Sequence, residues 1–292
     1  MIVIAKKVGQ LANRMLLFAH FIGAAIEHGF TLLNPAFLTY AHYFPATAQD
    51  LLCGFPARRR LRPRQTLRRY VYAATLAGGE VLHILQWAGL PVGLIRLQRD
   101  QSMKLDSPAF LEQARRHRLL FVQDWYFRAP AYCERHRETI RAFFTPWPHH
   151  LANVQAVVEP ARQLGRFLVG VHIRRGDFAR FKDGRYYYSH EMYREVMERA
   201  QAAFPAEAVS FLVCSDEPAP VEVFAGLDVI YGSGHPLEDL YALAACDRLV
   251  GPPSTYNMWA SYYGNVPRYR IEDPAAPVTP ASFEISHNLM RA

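Results

Sequence analysis

Apolar residues along this chain fall into short runs separated by longer stretches of mixed character, and the runs have the length and composition of buried strands. Met1–Ala5 is the first. A loop holding Gly9 follows, then a stretch of helical composition from Asn13 that Gly29 closes. Phe30–Leu33 and Leu119–Tyr126 read as further strands, the latter leading into a helix from Pro130 to Phe144. Beyond Thr145–Pro148, where two closely spaced prolines interrupt regular structure, a helix over Leu151–Leu164 precedes a strand at Phe167–Val171. Strands at Val209–Cys214, Val229–Tyr231 and Arg248–Gly251 then alternate with helices over Ser189–Ala203, from Leu237, and over Tyr256–Tyr263. Continuously apolar strands alternating with helices predict an α/β fold with parallel sheet. The proline break divides the chain into two domains, 1–148 and 149–292. No internal repeat or low-complexity segment is present.

Composition narrows the setting. Hydrophobic residues make up 51% of the chain, enough for a substantial core. The four cysteines are scattered, which fits neither a zinc cluster nor a disulfide framework. Cys214 and Cys246 lie in apolar runs and read as small core residues, so a reducing, cytoplasmic setting is expected. Met1–Ala5 gives way at once to Lys6 and Lys7, unlike a secretory signal, and no apolar run approaches the roughly 20 residues of a spanning helix.

A formal net charge of +7 favours acidic partners. Residues 57–70 hold the densest basic run, beside an apolar segment, 70–95, that contains Trp87. Two readings stand for 57–95: a solvated basic loop leading into a core helix, or peripheral contact with an anionic membrane. Nucleic acid is not expected, because the run lacks interleaved aromatics.

Candidate chemistry gathers where three predicted strands end. The strand at 167–171 runs into His172, Arg174, Arg175 and Asp177; another ends at Ser215 and Asp216; a third leads to Ser254 and Thr255 at a helix start. In open α/β sheets ligands bind beyond the carboxyl ends of the strands. Paired arginines match phosphate oxygens two at a time, while a helix N-terminus offers hydroxyls and free N–H groups to an anion. A carboxylate such as Asp216, Glu238 or Asp239 suits ribose hydroxyls or the adjacent donors of guanine. The set describes a site for a nucleoside diphosphate. It is neither a G-x-G-x-x-G fingerprint nor a P-loop, both of which are absent.

The spelling His172-Ile-Arg174-Arg175-Gly-Asp177 resembles the donor-binding motif of the α-1,2-, α-1,6- and protein O-fucosyltransferases. Similar patterns follow the family's order: Gly9–Asn13 (Gly-x-x-x-Asn), Phe121–Tyr126 (aromatic-x-Gln-x-aromatic), Cys214–Glu217, Glu238–Asp239, and Ser254 to Trp259-Ala260. The basic stretch 57–70 and Pro252-Pro253 depart from the pattern. The resemblance, closest to bacterial α-1,2-fucosyltransferase-like enzymes, implies a GT-B-type fold of two Rossmann-like α/β domains facing a cleft. It implies an N-terminal acceptor side, a C-terminal donor side and a surface glycan as acceptor. GDP-fucose would be the donor, bound by His172, Arg174, Arg175, Ser215, Asp216, Glu238, Asp239, Ser254 and Thr255.

Transfer would be a single inverting displacement. The chain has no Asp-x-Asp triplet, so no metal or cofactor is expected and Arg174 and Arg175 would supply the positive charge. Asp177 and Asp183 are candidates for the base, with Asp177 equally suited to orienting an arginine; Asn13 would contact the acceptor or the leaving oxygen. Two other readings remain open: a same-fold transferase using another nucleotide sugar, and a non-catalytic basic protein that binds nucleic acid or lipid through 57–70. A glycoside hydrolase fits poorly, since it has no use for a diphosphate clamp.

Overall fold

The computed structural model describes residues 1–57, 63–85, 91–98 and 101–286. The chain divides into two compact units, Met1–Trp147 and Pro148–Ala292.

In the first unit, β1 (Ile2–Ile4) leads through the Gly9 turn into α1 (Leu11–His28), followed by β2 (Leu32–Leu33), the one-turn α2 (Pro45–Ala48) and the long α3 (Gln65–Leu85). Then come β3 (Val92–Arg96), β4 (Met103–Lys104), α4 (Pro108–Arg116), β5 (Leu119–Gln123), β6 (Phe127–Arg128), α5 (Pro130–Arg135) and α6 (Arg137–Phe143). Four strands form a parallel sheet in the order β2-β1-β5-β3, with β4 and β6 as a separate parallel pair. Helix α1 is apolar nearly all round and buried from Leu11 through Ala25, apart from Asn13 and Arg14. That pattern marks a helix enclosed by its own domain rather than one lying on a surface. Phe18 meets Phe37, Phe143 and Phe144 edge to face, with ring centroids 5.2–5.7 Å apart, so α1 is pinned to the far end of its own unit.

The second unit comprises α7 (Pro148–Leu164), β7 (Phe167–Ile173), α8 (His190–Ala202), β8 (Val209–Ser215), β9 (Val229–Tyr231), α9 (Pro236–Leu243), β10 (Arg248–Gly251), α10 (Thr255–Gly264) and β11 (Arg268–Arg270). Its sheet is wholly parallel, in the order β11-β10-β7-β8-β9. The central strand β7 is buried along six of its seven residues, and Gly170 sits where a Cβ would come within 2.9 Å of Leu243, Leu249 and Cys246. Trp259, Tyr193 and Tyr262 are fully buried in the same unit.

Several expectations are corrected. The strand expected over Leu119–Tyr126 stops at Gln123, where Asp124 takes a positive φ of 133°. The helix expected to Phe144 is two helices broken at His136. Pro148 opens α7 instead of preceding it, in keeping with the tolerance of proline in a helix's first turn. Strands β3 and β11 were not anticipated: both are short, and β3 lies inside the apolar stretch 70–95 where length alone favours helix.

Within the basic run, residues 58–62 lie outside the described residues, as do 86–90, which include Trp87. Arg68 belongs to neither reading of that run. It is buried, and its guanidinium donates to the Thr47 and Ala48 carbonyls at 2.8 and 2.9 Å and to Cys53 Sγ at 3.1 Å. Nor is α3 a core helix, since Leu67, Tyr70 and Val81 stand exposed on it. Among the described residues no helix is long and apolar enough to cross a membrane.

Arg68→Met keeps the apolar stem but removes the donors from two buried carbonyls. Stability of the first unit is expected to fall by about 1–3 kcal/mol in urea titration, whereas a solvated arginine would give no measurable change.

Candidate functional site

Parallel pairing sends the carboxyl ends of all five strands of the second sheet to one edge. The chain winds outward from β7 through β8 to β9, then returns to the other side of β7 as β10. The topological switch therefore lies between β7 and β10, the place where an open α/β sheet forms its ligand crevice. His172, Arg174 and Arg175 leave β7 on one side of that switch; Ser254 and Thr255 leave β10 on the other. Ser215 and Asp216 end β8, the neighbour of β7 on its opposite side.

His172 is buried and stacks on Tyr256, with ring centroids 4.7 Å apart and planes 28° from parallel. The Tyr256 hydroxyl donates to the Pro236 carbonyl at 2.8 Å, tying the start of α10 to the start of α9. Burial and then the nearby Arg174 charge push the His172 imidazole down to about 3. It is therefore neutral at ordinary pH, and its buried Nδ1 has no hydrogen-bond partner among the described residues.

The two arginines are held differently. Arg174 turns to carboxylates: Asp177 Oδ1 accepts from its Nε at 2.9 Å and lies 2.8 Å from a terminal nitrogen, and Asp216 Oδ2 is 3.4 Å from Nε. Arg175 is built into the protein. It donates to the Tyr188 carbonyl at 2.7 Å and the Tyr187 hydroxyl at 2.6 Å, and it lies over the Tyr187 ring at 4.4 Å, with Glu217 3.5 Å from Nε. The backbone is fixed by the same groups. Asp216 Oδ1 accepts from the Arg175 N–H at 2.8 Å, and the Tyr193 hydroxyl accepts from the Arg174 N–H at 3.3 Å. At Gly176 a Cβ would stand 3.0 Å from Asp216 Oδ2, so glycine permits the close approach.

The remaining expected residues divide. Asp177 is mostly exposed and braces Arg174. Asp183 is exposed in a short turn, where Lys182 and Asp183 both take left-handed backbone angles (φ 49° and 56°). Ser254 caps α10, accepting from the Tyr256 N–H at 3.0 Å, with Thr255 as the first helical residue. The Ser215 hydroxyl accepts from the Glu217 N–H at 3.2 Å.

Glu238 and Asp239 are buried in the first turn of α9, and both carboxylates already have protein donors. Glu238 Oε1 receives His150 Nδ1 at 2.8 Å and Asn153 at 2.7 Å. Burial works against the Glu238 charge, but these two hydrogen bonds leave its pKa lowered. Asp239 accepts from the Ser233 and Gly234 N–H groups at 2.8 and 3.2 Å, and burial leaves its pKa raised.

Asn13 lies in the first unit, on the opening turn of α1. Gly9, at φ 49°, leaves no room for a Cβ beside the Asn13 amide. Arg14 beside it donates to the Gly9 carbonyl through Nε and a terminal nitrogen, at 3.2 and 3.0 Å, and so holds the turn shut.

Tyr187, Tyr188, Tyr193, Tyr256 and His150 were not legible as site residues. The run Tyr186–Tyr188 just after the arginine motif was the available signal, but aromatic clusters usually read as core.

Residues 126–268 match glycosyl transferase family 11. No curated protein matches the chain. Among solved structures it is similar to a variant of Arabidopsis thaliana FUT1 in complex with GDP, at 14% identity and a TM-score of 0.60, over 97% of this chain and 73% of that one. It is also similar to NodZ α-1,6-fucosyltransferase soaked with GDP-fucose (14% identity, TM-score 0.55, 95% of this chain and 97% of that one). A structure of fucosyltransferase NodZ from Bradyrhizobium gives 16% identity and a TM-score of 0.54 over the same shares. The two parallel α/β units are thus those of the GT-B fucosyltransferase fold.

His172 sets an acid limit on the second unit. Its folded pKa is near 3 against 6.5 for the free side chain, so the unfolded chain takes up the proton first. The associated stability is complete above pH 6.5 and is lost as pH falls from there toward about 3, at up to about 1.4 kcal/mol per pH unit. Hydrogen exchange at the β7 amides should show this slope in the wild type and a flatter one in His172→Gln. Equal slopes would mean that His172 titrates normally.

Proposed function

We propose that this chain, a glycosyltransferase of the fucosyltransferase superfamily, moves fucose from GDP-fucose to a hydroxyl of a glycan acceptor by a single inverting displacement without a metal. The observation that supports it most is the delivery of Arg174 beside the sheet's switch point, opposite the start of α10. A diphosphate there meets a guanidinium on one side and, on the other, the N–H groups and hydroxyls of Ser254 and Thr255. The relatives solved with GDP and GDP-fucose bear on the choice of nucleotide.

The chemistry asks for charge where charge develops. As the bond from the fucose anomeric carbon to the diphosphate oxygen breaks, negative charge builds on the leaving group. Arg174, its fork already aligned by Asp177 and Asp216, stabilises that charge with little reorganisation. The entering diphosphate takes over the terminal-nitrogen contact of the exposed Asp177 carboxylate, which keeps its hydrogen bond from Nε and so orients the arginine from one side. Arg175, anchored to Tyr187 and Tyr188, contributes field from a fixed position. The neutral His172, with its unpartnered Nδ1, serves as a hydrogen-bonding group for the donor and not as a cation.

Asp216 is read as the clamp's anchor, and Glu238 and Asp239 serve the base or ribose only through whatever acceptor capacity their protein donors leave. Asp183 is kept as the candidate base, and Asn13 as the group meeting the acceptor or the leaving oxygen. Neither nucleic acid nor membrane contact plays a part in this reading.

Calorimetric titration in chelator is expected to show binding of GDP in preference to UDP and ADP, and transfer from GDP-fucose in preference to GDP-mannose. Arg174→Ala should lower turnover about 10²–10³-fold while leaving the circular dichroism spectrum unchanged. Metal-dependent binding, or near-wild-type turnover in the variant, would refute the mechanism.

A further inference from the structure

Surface helices normally turn charged residues outward. Helix α3 turns a stripe of apolar residues outward as well. Its outward face carries Leu67, Tyr70, Ala73, Ala74, Ala77 and Val81, all exposed, with Tyr70 at 76% and Val81 at 52% of full exposure. The intervals of three and four residues put them in one stripe along about four turns. Arg69 and Glu80 lie together on one flank of that stripe, 11 residues apart and therefore about three turns from each other on the same side. The inward side is accounted for by Arg68, buried against Thr47, Ala48 and Cys53, and by Gly79, where a Cβ would fall 2.8 Å from the Gln123 amide.

Gly78 has no such reason. A Cβ there would meet nothing within 4 Å, yet glycine inside a helix costs about 1 kcal/mol relative to alanine. Open space above it, beside an apolar stripe, is room for something from outside the unit.

We propose that this face binds the same face of a second copy, with the two α3 helices antiparallel about a two-fold axis at Ala74. The register follows from the residues. With Ala74 on the axis, Leu67 of one copy lies opposite Val81 of the other, and Tyr70 lies level with Gly78, where no side chain bars the approach. In antiparallel pairs each flank meets its own kind. Arg69 therefore comes within one residue of Glu80 of the second copy, and the contact occurs twice. Glu80 already pairs with Arg96 at 2.5 Å and so bridges two arginines in the dimer.

Ala73, Ala74 and Ala77 let the backbones approach at the crossing. One helix pair lies at the small end of stable interfaces, which bury about 1,200–2,000 Å², so the dimer is concentration-dependent. An anionic bilayer is the poorer occupant, because small alanines insert weakly and Glu80 stands at the border.

Sedimentation velocity over a range of concentrations tests this. The wild type is expected to dimerise and Ala74→Glu to remain monomeric with an unchanged melting temperature. Arg69→Glu and Glu80→Arg should each weaken the dimer at least tenfold, with substantial recovery in the double exchange. Ala74→Cys treated with copper phenanthroline should give a covalent dimer, since the four native cysteines are buried. A wild type that stays monomeric throughout would overturn the proposal, as would a dimer indifferent to Ala74→Glu. So would flotation of a monomer on phosphatidylserine vesicles that Ala74→Glu abolishes, which would assign the face to lipid.

Discussion

The constraint on which the C-terminal unit depends is that every strand pair in its sheet is parallel. Parallel strands require crossovers, and crossovers return each helix to the amino end of the next strand. All this unit's turns from strand to helix must then open on one edge. His172 to Asp177, Ser215 to Glu217, and Ser254 to Thr255 are distant in sequence but share that edge because their strands are neighbours. The switch in winding direction between β7 and β10 parts two of these turns, and the stack of His172 on Tyr256 bridges the parting.

Charge is the second organising term. Two guanidiniums close together repel, and each resists burial unless paired. The second unit answers with Asp177, Asp216 and Glu217, and with the aromatic bed of Tyr187. The answer is graded. Arg175 is held by backbone and phenol groups that do not leave. Arg174 is held partly by Asp177, which is exposed and can yield to a better-placed anion. Asp216 joins the two, because one of its oxygens fixes the Arg175 backbone while the other faces Arg174. A single carboxylate thereby sets the spacing of both side chains.

Much of this was legible in the sequence, and the reasons for the rest are physical. The strand ending at His172 could be read because a run buried on both faces must be apolar throughout. The cap at Ser189 could be read because its side chain does local work, accepting the Met192 N–H at 3.2 Å. Tyr187 and Tyr256 could not, since their partners Arg175 and His172 are brought to them only by the fold. Glu238 and Asp239 stood out as an acidic pair before a helix, but not their donors: His150 lies far back in the chain at the start of α7. The exposed apolar face of α3 escaped notice for a different reason. Periodicity identifies a stripe, but it does not say which side of the helix the protein covers, and here it covers the side with the buried Arg68.

The two units handle positive charge in opposite ways. At the carboxyl end of β1, Lys7 and Arg14 form no ion pair with a described carboxylate. Burial, then Arg14 and Arg69, lower the pKa of Lys7, the mark of cations placed near one another. The first turn of α1 carries no acidic residue, and no side chain caps it, so the helix dipole adds to the same sign. The field there is uncompensated, whereas around Arg174 and Arg175 it is largely neutralised by neighbours. An uncompensated field acts at long range and raises the rate at which anions arrive; a compensated one acts only on a ligand that can displace a carboxylate from its arginine. On the proposed function, long-range attraction of an anionic donor and its recognition at Arg174 would rest on different residues. The net charge of +7 describes the first of these tasks and says nothing about the second.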